Sequence, residues 1–421
     1  MSVVKITLPL GEIPVNGKQV SFAAPCDCDK VTGLSIEGET YTVCDAMGRT
    51  ATGIGGVFCA GSIVSVILSV TEKKAFIQNP AFPAAQIWTF DLEDGNTITK
   101  PVYVPIMDFS ILKNPVISEG AVEKITDANG EVLWACWPDD LDTGLEFVSA
   151  SAFTLNVSSP KWDGTMEYCN GGKWKTWDGS AIASTKTESG QRVYIRGIGN
   201  TKVTGGSAGK WGLNGTDIEC NGNIENLLDY ETVAAGEHPT MAVSCFAYMF
   251  YKCISLTTAP SLPATTLAES CCSYMFYDCR NLTTAPSLPA TTLAESCYMN
   301  MFYNCINLTT APSLPATTLA ESCYAQMFYN CSKLTTVPSL PAATLAEYCY
   351  KNMFSNCSAI KLSSEQIDTY TIPYRVPDRD SGLGTTASGA LTGMFTGTGG
   401  TYRGSISINI TYFLDESNTI V

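Results

Sequence analysis

The sequence predicts a multidomain, mainly β protein built around an α/β solenoid. Each 26-residue repeat of the solenoid would hold one helix and one short strand, with caps at both ends. Three observations carry this expectation. First, LTTAPSLPATTLAES stands unchanged at residues 256–270, 282–296 and 308–322, and LTTVPSLPAATLAEY follows at 334–348 with three differences. Second, five Met-Phe pairs begin at Met249, Met275, Met301, Met327 and Met353, and cysteines keep the same step at 245, 271, 297, 323, 349 and at 253, 279, 305, 331, 357. A fixed period in the 20–50 residue range marks a solenoid, because one unit can bury its apolar face only against its neighbour. Third, the residues before the repeats alternate apolar and polar between turn dipeptides, which is strand patterning.

Within one repeat, Leu293, Cys297, Met301, Phe302 and Cys305 follow helical spacing. Thr291 and Thr292 would cap that helix, and Glu295 would place a negative charge in its first turn. Pro312 and Pro315 exclude helix from the next stretch, which reads as an extended segment with Leu308, Ala311 and Leu314 turned inward. The paired cysteines stand eight apart and both face the core, as buried free thiols filling space rather than a disulfide or metal ladder.

The order TTLAESCYxxMFYNCxxLTTAPSLP resembles the BspA-like leucine-rich repeats of bacterial surface proteins and gut bacteriophage proteins, whose unit runs IxxxAFxxCxxLxxVxIP. The resemblance covers roughly residues 215–360 and departs from the family in unit length and in its Pro-Ser-Leu-Pro insertion. It implies adhesion or recognition, and it brings no catalytic residues with it. The stretch from Gly17 to Asn79 is similar to N-terminal modules of gut-phage structural proteins, which implies attachment to a virion through other virion proteins.

The expected division is 1–84 as an attachment module, 85–140 as a β-hairpin connector and 141–210 as a β-sandwich. The capped solenoid would follow over 211–360 and a C-terminal cap over 361–421. Hairpins are expected within 34–43, in 62–79 turning at 71–74, in 88–104 at Asp94-Gly95, and in 125–134 at Asn129-Gly130. In the sandwich, 145–157 and 191–199 read as strands. Residues 216–228 read as an irregular first repeat. Met394-Phe395 repeats the Met-Phe step 41 residues after Met353, so an insertion lies between them.

A net charge of −15 and a pI near 4.5 repel a phosphate backbone or an anionic membrane. No apolar run reaches the roughly 20 residues of a membrane span. The first residues lack the basic start and apolar core of a signal peptide, so the expectation is a virion component made in the host cytoplasm, a tail or head fibre, with a bacterial cell-surface adhesin or a purely structural capsid decoration protein as the alternatives. A homo-oligomer is the expected assembly.

Catalytic chemistry finds little support. His238 is the one histidine, in a GEHPT loop that reads as a turn, so no Cys–His or Ser–His pair is available. Neither GxxxxGK[ST] nor a GxGxxG opening a helix occurs. Cys26, Cys28, Cys44 and Cys59 lack the spacing of a zinc knuckle. Asp163, Glu167 and Asp178 are the nearest candidates for a glycosidase carboxylate pair, a weak reading, since Asp-Gly pairs are turn formers first. The expectation is a non-enzyme without cofactor or metal.

Recognition is assigned to outward rows of the repeat. Thr257, Thr283, Thr309 and Thr335 would stack at strand spacing of about 4.8 Å, and Tyr251, Tyr277, Tyr303 and Tyr329 form an aromatic row that ends at Ser355. Trp162, Trp174 and Trp177, within 16 residues, would either stack sugar rings or close the sandwich core. The ligand expected is a host cell-surface glycan or protein.

Overall fold

The computed structural model describes residues 2–6, 19–23, 31–36, 39–44, 63–69, 74–77, 86–92, 95–102, 116–117, 120–126, 132–187 and 189–421. They fall into two compact units, Met1–Cys136 and Trp137–Val421.

Among its described residues the first unit holds two sheets. Strands β1 (Ser2–Ile6), β2 (Gln19–Ala23), β3 (Val31–Ile36), β4 (Glu39–Cys44), β5 (Ile63–Ser69) and β6 (Lys74–Ile77) pair in the order β1-β3-β4-β6-β5-β2. Strands β7 (Gln86–Leu92), β8 (Thr97–Val102), β9 (Val116–Ile117), β10 (Gly120–Thr126) and β11 (Val132–Ala135) form the second, ordered β11-β10-β7-β8 with β9 on β10. The four hairpins read from sequence are present: β3 with β4, β5 with β6, β7 with β8, and β10 with β11. Gly95 adopts φ +84° in the third turn, where its missing Cβ permits the left-handed region. Alternation along β7 buries Phe90 and Leu92, with Ile125 from β10. Cys26, Cys28, Cys59 and the side chain of Cys44 lie outside the described residues, as do the turns at 71–73 and 129–130.

The second unit starts with two sheets over a shared core. Strands β12 (Leu145–Ser149), β14 (Thr165–Cys169), β15 (Lys175–Thr176), β17 (Thr185–Thr187), β18 (Gly190–Ile198), β20 (Ile218–Asn221) and β21 (Leu256–Thr258) make one. Strands β13 (Thr154–Val157), β16 (Ile182–Ala183) and β19 (Trp211–Asn214) make the other. The stretch 145–157 is therefore two strands in two sheets. Phe147, Leu155, Val193, Trp211 and Ile218 are buried between them. Parallel pairing of β20 with β21 continues this sheet into the first coil of the repeats. One helical segment, α1 (Asn226–Ala234), broken at Asp229, packs on β18.

The repeats correct the sequence reading: they coil, but no repeat contains a helix, and the short strand expected in each forms only in the first and fourth copies, at Leu256–Thr258 and Thr336–Val337. Between Ala294 and Cys305 the backbone makes two alternating sets of hydrogen bonds. Cys297, Met299, Met301, Tyr303 and Cys305 each donate to the carbonyl three residues back, at 3.1–3.3 Å. Ser296, Tyr298, Asn300, Phe302 and Asn304 instead donate to the next coil, at Glu321, Cys323, Ala325, Met327 and Tyr329, at 2.8–3.0 Å. The segment is a ribbon of four-residue turns bonded sideways like a strand. A helix would consume every amide internally, four residues back, leaving none for the neighbouring coil. Thr292, expected to cap the absent helix, instead bridges in parallel to Thr266 and Thr318.

The misreading has a definite source. A helix repeats every 3.6 residues and this ribbon every four, so over three turns both bury the same positions, here Cys297, Tyr298, Met301, Phe302 and Cys305. The ribbon differs in needing a left-handed residue in each turn: Ser296, Asn300 and Asn304 have φ +54°, +57° and +61°, and the equivalent positions of the other coils match. Asn and Asp visit that region most readily among residues with a side chain. In the last coil the same places are Gly389, Gly393 and Gly397, at φ +66°, +64° and +73°, aligned with Tyr348, Asn352 and Asn356 by bonds from those amides to residues 388, 392 and 396.

This geometry makes a prediction at Gln326, where φ is +55° and the side chain is half-buried. Gln326→Gly removes a left-handed strain of about 1–2 kcal/mol, against an entropy cost of about 0.4–1 kcal/mol. It is expected to leave stability unchanged or raised, while Gln326→Val lowers it by about 1–3 kcal/mol. Urea unfolding of both variants checks this, and a Gly variant weaker than the Val one would instead indicate a helix.

Side chains stack from coil to coil inside the solenoid. Phe250, Phe276, Phe302, Phe328, Phe354 and Phe395 form one buried column with centroids 5.3–5.7 Å apart. Leu308, Ala311 and Leu314 are buried. The C-terminal region closes the stack with β23 (Lys361–Ser363), β24 (Tyr370–Tyr374), β25 (Gly399–Gly400) and β26 (Tyr412–Asp415), ordered β24-β26-β23-β25. Strands β22 (Thr336–Val337) and β27 (Thr419–Ile420) pair in parallel, which ties the chain end back onto the fourth copy of the repeated stretch.

Candidate ligand-binding face

The tyrosine row is assembled by the coil period itself. Tyr251, Tyr277, Tyr303 and Tyr329 stack face to face at 4.8, 4.6 and 4.6 Å, tilted by no more than 16°. All four are half-buried, each presenting part of the ring to solvent. A second pair, Tyr248 and Tyr274, stacks at 4.5 Å and leans on the first column through Tyr248–Tyr251 and Tyr274–Tyr277. Lys210 holds its ammonium 4.2 Å from the Tyr251 ring and 5.8 Å from that of Tyr248, with Lys252 5.3 Å from Tyr251, which places cations over the negative ring faces. Tyr248, Lys210 and Lys252 were missed from sequence. Tyr248 and Tyr251, three apart, repeat at Tyr274 and Tyr277, and that recurrence was the available signal.

Beside this column runs a polar row at the third left-handed position of four successive coils, Asp278, Asn304, Asn330 and Asn356. Asn304 donates to Asp278, Asn330 to Asn304, and Asn356 to the Tyr329 hydroxyl at 3.0 Å. The face therefore carries aromatic planes and polar groups at one repeat distance.

The threonine row is also stacked. Thr309 donates its amide to Thr283 and Thr335 to Thr309, at 3.2 and 3.0 Å. Thr283, Thr309 and Thr335 are exposed and Thr257 is half-buried. The hydroxyls of Thr309 and Thr335 donate to the carbonyls of Thr283 and Thr309, at 3.3 and 3.2 Å. Each hydroxyl keeps its acceptor lone pairs for a ligand.

The three tryptophans do not form an open platform. Trp177 is buried, stacks on half-buried Trp162 at 5.5 Å, meets Trp211 edge-on at 5.4 Å, and donates its indole N–H to Ser180 at 2.8 Å. Through Trp211 and Phe250, 6.2 Å apart, this cluster joins the phenylalanine column. Trp174 lies apart, donating to Asp140 at 2.9 Å with the Arg196 guanidinium 4.0 Å from its ring. Tyr230 covers the other contact of Arg196, also at 4.0 Å.

The three carboxylates considered for catalysis all have structural partners. Asp163 accepts from the Thr201 amide and hydroxyl, at 2.8 and 2.7 Å, and from the Lys202 amide. Burial works against its charge, but those bonds outweigh it and hold the carboxyl below its usual range. Glu167 pairs with Arg196 at 2.8 Å. At Asp178 the bonds from Ser180, a turn contact, likewise hold the carboxyl below its usual range. His238 is not a bare turn residue, since its Nδ1 lies 2.8 and 3.0 Å from the two Glu225 oxygens.

The cysteines of the two repeat columns, 245, 271, 297, 323, 349 and 253, 279, 305, 331, 357, are buried free thiols. The thiols have a further task. Cys279, Cys305, Cys331 and Cys357 donate to the carbonyls of Phe250, Phe276, Phe302 and Phe328 of the preceding coil, at 2.9–3.1 Å. No group of three or more metal-ligating side chains occurs among the described residues, and none of their helices is long and apolar enough to cross a membrane.

Residues 244–375 match the family described as BspA type leucine rich repeat region, in six copies. Comparison with curated proteins found no match, and comparison with solved structures found none.

Proposed function

We propose that this leucine-rich repeat protein is a non-catalytic adhesion and recognition module, carried on a phage virion as part of a tail or head fibre. The column of Tyr251, Tyr277, Tyr303 and Tyr329 carries this reading. A periodic array of ring faces spaced 4.6–4.8 Å apart, flanked by amides and hydroxyls, suits a host cell-surface glycan or an extended protein segment. The BspA type match favours a surface interaction module. The N-terminal sheets would join other virion proteins, and a homo-oligomer would multiply weak contacts into avidity.

Tyr303→Ser tests the binding face, because Ser355 already fills the same position one coil beyond Tyr329. The variant is expected to fold while its binding to host cells falls by roughly two- to tenfold, as loss of one ring contact worth about 0.5–1.5 kcal/mol implies. Unchanged binding would remove the tyrosine column from the site. Antibody labelling of particles separates the virion from the alternative of a bacterial surface adhesin, which would label intact cells instead.

A further inference from the structure

At the start of the solenoid lies a cleft of about 410 Å³, lined by Glu225, His238, Met241, Ala264, Thr266 and Leu267 among others. Glu225 sits just before α1, and its side chain is 1% exposed, whereas that of His238 is 51% exposed. Among the described residues, His238 is the one hydrogen-bond partner of the Glu225 carboxylate. A carboxylate offers about four acceptor positions. Buried with a single donor, it is short of partners, a costly arrangement for a charged group.

A second polar group in the same place is also short of a partner. A chamber of about 10 Å³ adjoins the cleft, sharing Glu225, Met241, Ala264 and Leu267 with it, and Tyr298 forms part of its wall. The Tyr298 side chain is 1% exposed and its hydroxyl has no hydrogen-bond partner. The coil before it carries Cys272 at the equivalent position, and Phe246 precedes that, so nothing on that side reaches the hydroxyl. A space of this size holds about one water-sized group.

We propose that the cleft binds a small organic cation, a short apolar stem ending in a primary ammonium. The ammonium is close to water in size and carries three donors, matching the open lone pairs of Glu225 and the free acceptor of Tyr298. Its charge offsets that of a carboxylate which His238 serves through a single N–H. Met241, Ala264 and Leu267 form the apolar wall for the stem. This site is separate from the tyrosine column and stands whether or not that column binds a glycan.

His238 being the one histidine, its imidazole resonances in an NMR spectrum report on the cleft without ambiguity. Titration of the full-length protein with n-butylammonium chloride is expected to shift them saturably. Bonds to a charged group imply that 1-butanol binds roughly tenfold more weakly or worse, and butyrate should leave the resonances in place. Glu225→Gln keeps the shape and should erase the preference for the ammonium over the alcohol, and Tyr298→Phe should weaken ammonium binding several-fold. Equal responses to ammonium and alcohol, or none to either, would overturn the proposal. Those two wild-type titrations decide it even if the Glu225 variant fails to fold.

Discussion

Raising the pH from 8 to 10 is expected to remove at least about 5 kcal/mol of folding stability, with the buried thiols as the cause. Burial pushes Cys253, Cys323, Cys349 and Cys357 from an ordinary value of 9.0 up to about 12. The folded chain therefore keeps protons that the unfolded chain releases above pH 9. The contribution is fully present below pH 9 and is lost as pH climbs toward 12, at about 1.4 kcal/mol per thiol for each unit. Cys279 and Cys331 are shifted the same way by burial and add to the slope. Urea midpoints measured at pH 8 and pH 10 check this, with reducing agent present throughout. Identical midpoints would mean that these thiols are not desolvated. The same burial predicts that iodoacetamide at pH 8 leaves the solenoid cysteines unmodified until the protein unfolds.

Phe302→Ala is expected to cost about 3–5 kcal/mol, the range for deleting a buried phenyl ring. Phe302 stands third in a column of six, 5.5 Å from Phe276 and 5.6 Å from Phe328. Because each coil contacts its neighbours, the loss falls on the two junctions of one coil. The coils before it are tied to the β sheets through β20 and β21, and those after it to the C-terminal strands. Two melting stages should therefore replace a single stage for Trp137–Val421. Phe302→Leu, which keeps most of the volume, should cost less and stay in one stage. A calorimetric trace of Phe302→Ala matching the parent would take Phe302 out of the column.

Period and burial were legible in the residues. The step of 26 residues, the inward Met-Phe pairs and the four hairpins follow from patterning, because burial dictates which positions are apolar and turns dictate where Gly and Asn stand. The tyrosine row was legible for the same reason, since a strict repeat stacks like on like. Trp177 was ambiguous on the sequence, as a ring beside Asp-Gly fits either a core or a platform, and only packing on Trp162 and Trp211 settled it as core.

What the sequence by itself determined is the solenoid: the period, the inward face and the stacked rows that burial against a neighbouring coil requires. Tertiary structure alone decided how each coil runs. Apolar residues four apart satisfy both a helix and a ribbon of four-residue turns, and the choice went to the ribbon, whose alternate amides bond across coils. It also brought Glu225 to His238, 13 residues apart, and both to a cleft beside Tyr298. No periodicity encodes that meeting, because it depends on where the first coil closes against α1.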